Sequence, residues 1–182
     1  MGLLRTRERS RTSIPVNAFP TPPGSLLVTA QSIGSLRSDA SGAVGFSFGT
    51  PASVNYTVTA LGMWRVAGNA NPATHIYLAA DNAGALTILA TAVIDMSKGP
   101  INAYRWAAIS SVTLPANLQY AIMREVVTGG DQWADQAAIT GDATIGTPIF
   151  AVYYLGAVPP TTAGNSAGGN SYGPVNMLVL RS

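Results

Sequence analysis

From Ser25 to Leu180 the apolar residues come in short runs, and almost nowhere do they recur at the 3.6-residue period of a helix for three turns. The runs are SLLVTA (25 to 30), AVGFSF (43 to 48), VNYTVTALGMW (54 to 64), HIYLAA (75 to 80), LTILATAVID (86 to 95), AYRWAAI (103 to 109), LQYAIMREV (118 to 126), PIFAVYY (148 to 154) and VNMLVL (175 to 180). In the third, Tyr56 and Val58 alternate with Asn55, Thr57 and Thr59, the period of a strand with one wet face. DNAG at 81 to 84 lies between two runs and reads as a hairpin turn, with Asn82 and Gly84 tolerant of positive φ. Nine short strands punctuated by Gly, Pro, Asn and Asp predict an all-β domain, a two-sheet antiparallel β-sandwich of jelly-roll type.

What precedes and interrupts the strands is different in kind. RTRERSRTS at 5 to 13 carries Arg5, Arg7, Arg9 and Arg11, and these with Glu8 hold the whole basic excess of the chain. TSIPVNAFPTPPG at 12 to 24 carries Pro15, Pro20, Pro22 and Pro23, which cannot donate ladder hydrogen bonds and force an extended path. Residues 1–24 therefore read as a basic, Pro-rich extended arm, and 25–182 as a single sandwich domain. Within that domain, GAVPPTTAGNSAGGNSYGP at 156–174 is too long for an ordinary hairpin connection and reads as a Gly-rich surface loop.

Only 10% of the residues are charged, against about 25% in an ordinary soluble domain. Either the surface is covered by Ser, Thr, Asn and Gly or much of it is buried against other chains, and burial is the favoured expectation. There is no cysteine, hence no disulfide framework and no thiolate metal site. The start MGLLRTRERSR lacks the apolar stretch of a secretory signal, and no run approaches the ~18 apolar residues of a membrane helix.

The central block has a recognisable order of Leu61-Gly62, His75, Tyr104-Arg105-Trp106, Leu114, Tyr120 and Gly130-Asp131-Gln132-Trp133. Over about residues 54 to 135 it resembles an uncharacterised family of bacterial and phage β-sandwich domains similar to carbohydrate-binding jelly rolls. Pro115-Ala116-Asn117 stands where that family more often has a Gly turn. The resemblance implies a fold and sugar recognition, with no catalytic residue to carry across.

Individual residues add little chemistry. His75 is the only histidine, and with no cysteine and no G-x-S-x-G elbow the reading is non-enzymatic, with no catalytic residues, no cofactor and no metal. In its strand His75 reads as a hydrogen-bonded structural residue. Asp81 and Asn82 suit a hairpin turn better than calcium, which wants six or more oxygens. Trp64 and Trp106, inside apolar strands, read as core. Asp131, Gln132 and Trp133 combine a flat apolar ring with hydrogen-bonding side chains and form a possible sugar-binding site, although a loop Trp can equally fold back to plug the end of a sandwich.

Arg5, Arg7, Arg9 and Arg11 alternate, so an extended arm presents all four on one side as a partner-binding strip. Four charges per subunit are thin for packaging nucleic acid, which makes a protein partner the better expectation. Arm, weakly charged sandwich and Gly-rich loop together predict a viral structural protein located in the virion, most simply a phage capsid decoration protein or a small tail or fibre subunit. Its expected partners are itself, as a homotrimer or other homo-oligomer, and other virion proteins, with no membrane. The alternative is a carbohydrate-binding or adhesion module with a glycan partner.

Overall fold

Antiparallel pairing organises the domain. The structure is a computed structural model that describes residues 24–181 except 136 and 169, so the arm with Arg5, Arg7, Arg9 and Arg11 lies outside the described residues. The strands are β1 (Ser25–Leu26), β2 (Val28–Ser32), β3 (Ser35–Arg37), β4 (Gly42–Gly49), β5 (Tyr56–Arg65), β6 (Thr74–Asn82), β7 (Ala85–Ile94), β8 (Ala103–Leu114), β9 (Gln119–Val126), β10 (Trp133–Asp135), β11 (Ala137–Gly141), β12 (Thr147–Tyr154), β13 (Gly164–Gly168), β14 (Asn170–Ser171) and β15 (Val175–Arg181). A six-stranded sheet runs β13-β12-β4-β9-β6-β7 and a four-stranded sheet β1-β15-β5-β8. Smaller sheets, β14-β11-β2 and β10-β3, lie beside them. No helix occurs among the described residues. The domain is thus an all-β antiparallel sandwich. These pairings establish its layers and not the connection pattern of a jelly roll.

The core is filled by the facing sides of the two larger sheets. Phe46 and Phe48 of β4, Ile76 and Leu78 of β6, and Tyr120 and Ile122 of β9 meet Val58, Leu61 and Met63 of β5 and Val175, Met177 and Val179 of β15, all buried. Period-2 alternation along each strand produces this. The opposite side of the six-stranded sheet is covered too. Ala43, Ala121, Met123 and Val152 form a second small core with Leu86, Val158 and Ala163. Strand β4 is consequently buried on both faces, which explains its small residues at alternate positions. At Gly45 a Cβ would come within 1.9 Å of the Ile122 carbonyl oxygen, so no side chain fits between these strands.

Segment 156–174, expected as a loop, is built into the sheets. Its first half crosses the outer face, where the Leu86 N–H donates to the Thr161 carbonyl at 2.9 Å and the Ala163 N–H to that of Gly84 at 2.8 Å. Its second half supplies β13 and β14, which pair with β12 and β11. Sheet partners satisfy its backbone, while its small side chains give the sequence no strand pattern.

Three further differences have local causes. SLLVTA splits at Leu27, so that β1 pairs with β15 while β2 leaves for β11. The AYRWAAI strand continues to Leu114 as β8, opposite β5 across a bulge between Val58 and Ala60. In the DNAG turn the positive-φ residues are Ala83 (52°) and Gly84 (91°), Asn82 being the last residue of β6. The two-residue turn is held by Asp81, whose Oδ1 accepts from the Gly84 N–H at 2.7 Å and whose Oδ2 accepts from Gln119 Nε2 at 2.9 Å.

Candidate functional site

A concavity lies at one end of the sandwich, between the β5–β6 loop and the turn after β9. Strand β9 alternates Tyr120, Ile122, Arg124 and Val126 toward the interior, so Arg124 enters the core face beside Ile76 and Val44, its partners in register. It is 1% exposed. Gly173, at φ 54°, packs against its aliphatic stem; a Cβ there would approach Arg124 Cδ to 2.8 Å.

The guanidinium is poorly satisfied for so buried a charge. Its Nε and Nη1 donate to the backbone carbonyls of Glu125 and Gln132, each at 3.4 Å, the long end of hydrogen bonding. No carboxylate lies within ion-pairing distance of it among the described residues. Burial pushes its pKa down to about 10, with the charge of Asp131 acting in the opposite direction. It opens onto a cavity of about 450 Å³ walled by Gly68, Ala70, Asn71, Glu125, Gly130 and Asp131. Thr74 also lines it and is buried with a hydroxyl that has no hydrogen-bond partner among the described residues.

The walls are fixed by polar contacts. Asp131 Oδ1 accepts from the Ala70 N–H at 2.7 Å and the Asn71 N–H at 3.1 Å, tying the two loops together. Asn69 Nδ2 donates to the Gln132 carbonyl at 3.2 Å. Arg65 braces the β5–β6 loop from below by donating to the carbonyls of Met96, Gly99, Asn69 and Ser97. Beyond the turn, Thr128 is latched to Ser41 through both its hydroxyl and its N–H.

Of the three residues expected to act together, Asp131 faces the cavity and Gln132 contributes its backbone carbonyl, while Trp133 is turned away from both. Trp133 lies in β10, paired with Arg37 of β3, and is 3% exposed. Its ring packs edge-on to Tyr172 at 5.8 Å and under the Arg37 guanidinium at 5.1 Å. This is the floor of a separate hollow of about 200 Å³, rimmed by Val44, Tyr153 and Leu155. Arg37 itself is held by Asp39 and Asp135, each at 2.8 Å, and the hydrogen bonds it donates to these carboxylates raise its pKa.

Trp64 and Trp106, expected in the core, are half-buried on the outer face of the four-stranded sheet. Trp64 meets Tyr104 edge-on at 5.1 Å, and Trp106 lies over Gly62, where a Cβ would come within 2.6 Å of the indole. Beside them β2 forms the far wall of a cleft of about 380 Å³, in which the Tyr104 hydroxyl donates to Gln31 Oε1 at 2.6 Å.

His75 Nδ1 lies 2.7 Å from Glu125 Oε2 on the outer face of the six-stranded sheet, and its ring stacks on Tyr77. No side-chain hydroxyl is hydrogen-bonded to the ring among the described residues. No group of three or more His, Cys, Asp or Glu that could hold a metal ion occurs among the described residues.

Sequence reasoning passed over Arg124 and Thr74. The signal for Arg124 was present: in LQYAIMREV the alternation Tyr120, Ile122, Val126 places position 124 on the buried face. No family model, curated protein or solved structure matches this chain, so any functional reading rests on its own geometry.

Proposed function

We propose that the chain is a non-enzymatic structural protein of a virion, a phage capsid decoration protein or a small tail or fibre subunit. It associates with copies of itself through the sides of the sandwich and is tethered to other virion proteins by its basic arm. The observation that carries this reading is a surface rich in large apolar side chains and poor in available charge. Leu155 is 68% and Val93 51% exposed, and Ile101, Leu118, Val127 and Leu180 are exposed as well. The ionic groups, by contrast, are largely engaged within the subunit or withdrawn from its surface: Arg65 donates to four carbonyls, Arg37 to two carboxylates, and Arg124 is buried. Such a surface favours association into a closed homo-oligomer, and an arm outside the domain adds contact without enlarging the core.

Sedimentation velocity across a range of concentrations tests this directly. A closed homo-oligomer such as a trimer is the expected species. A monomer at every concentration contradicts the reading.

A further inference from the structure

We propose that the Arg124 cavity binds a neutral polyhydroxylated ligand, a saccharide presenting a vicinal diol, with Arg124 donating to the diol oxygens and Asp131 accepting from a hydroxyl. This inference is independent of the assembly reading.

The site is built before any ligand arrives. A guanidinium that is 1% exposed and makes only two long bonds to carbonyls has donor capacity left over, and Nη2 makes no hydrogen bond among the described residues. A buried charge in that state is costly unless something accepts from it, and the open volume beside it is about 450 Å³, within the usual range of small-molecule sites. Asp131 supplies the complementary acceptor. Its Oδ1 is used by two backbone N–H groups, while Oδ2 has a single contact, from the Asn71 N–H at 3.1 Å, and so keeps a lone pair for a hydroxyl. The unpartnered Thr74 hydroxyl, which can donate or accept, lies in the same wall.

Charge decides the ligand class. One guanidinium and one carboxylate, that of Asp131, face the cavity; Glu125 also lines it, but its carboxylate is engaged by His75 on the outer face of the sheet. An anion gains one favourable contact with Arg124 and meets a repulsive one at Asp131. A cation meets a guanidinium that has nowhere to move, because Gly173 clamps its stem. Adjacent hydroxyls carry no charge, and each both donates and accepts. The planar fork of an arginine spans two vicinal oxygens, and an adjacent carboxylate accepts a hydrogen bond from a hydroxyl. Because Asp131 and Arg65 already fix the loops, little ordering remains to be done on binding.

The test is a ¹⁵N–¹H titration of the full chain with D-glucose, D-galactose and D-mannose, and in parallel with acetate and inorganic phosphate. The Ala70 and Asn71 amides, which donate to Asp131, and the Arg124 Nε–H should move with at least one sugar and with neither anion. Asp131→Asn should weaken that response at least about tenfold, a loss of about 1.4 kcal/mol. Ala70→Trp, which fills the cavity from an exposed wall position, should abolish it. No response to any of the three sugars, a response to acetate or phosphate at these groups, or a sugar response that survives Ala70→Trp would overturn the proposal.

Discussion

Arg37 and Arg124 stand on either side of the Gly129–Asp135 stretch in opposite circumstances. Arg37 is partly exposed, bonded to Asp39 and Asp135, and laid over the Trp133 ring. Arg124 is buried, beyond ion-pairing reach of any described carboxylate, and held by two long bonds to carbonyls. The first closes its hollow by joining β3 to β10. The second leaves its donors facing open volume. A charge that its own subunit satisfies fastens the fold, whereas one left short in a preformed cavity is available to a ligand.

The contrast breaks first by truncation. Arg124→Ala should cost about 3 kcal/mol or more in chemical denaturation, because it empties space between Val44, Ile76 and Gly173. Arg124→Met, which keeps the stem and removes the charge, should stay within about 1.5 kcal/mol of the parent. Arg37→Ala, at a solvent-screened pair, should cost far less than Arg124→Ala, and its cost should shrink further at high salt. Equal losses at Arg37 and Arg124 would erase the distinction. A smaller effect comes from Asp131→Asn, which keeps the amide acceptor for Ala70 and Asn71 but removes the charge opposing the burial of Arg124; about 1 to 2 kcal/mol is expected from the same measurement.

Alkaline titration sharpens the comparison further. Burial raises the phenols of Tyr104 and Tyr120, and burial with the Glu125 charge pushes Tyr77 up to about 12. Above pH 10 the unfolded chain has released tyrosine protons that the folded one retains, so these groups lower stability as pH rises from about 10 to 12. Arg124 acts with the opposite sign, because the folded state releases its proton near pH 10 while the unfolded chain keeps it. Three groups outweigh one. The urea midpoint should therefore fall over this interval, and fall more steeply in Arg124→Met, which lacks the opposing group; a shallower fall in that variant would contradict the setting described for Arg124.

Much of the sandwich was legible because its long strands alternate or run apolar between turn residues. The five strands without a corresponding run, β3, β10, β11, β13 and β14, are short and rich in small or polar residues, and their extended form comes from partners distant in sequence. The tryptophans were harder. Polar neighbours made Trp133 look available, yet pairing with β3 draws it in; apolar neighbours made Trp64 and Trp106 look buried, yet alternation turns them to the outer face of their sheet. Local polarity reports on a segment, and the pleat decides each side chain. Asp131 was visible as a polar residue in a turn, but its cavity depends on the β5–β6 loop some 60 positions earlier, which no local pattern announces.

Native mass spectrometry of the full chain beside a chain beginning at Gly24 and a Leu155→Asp/Val93→Asp variant tests the assembly claim most directly. The account predicts a closed homo-oligomer for the full chain, weaker association without the arm, and monomers when the two exposed apolar positions carry charge. Monomers for the full chain, or an oligomer indifferent to both changes, would contradict it.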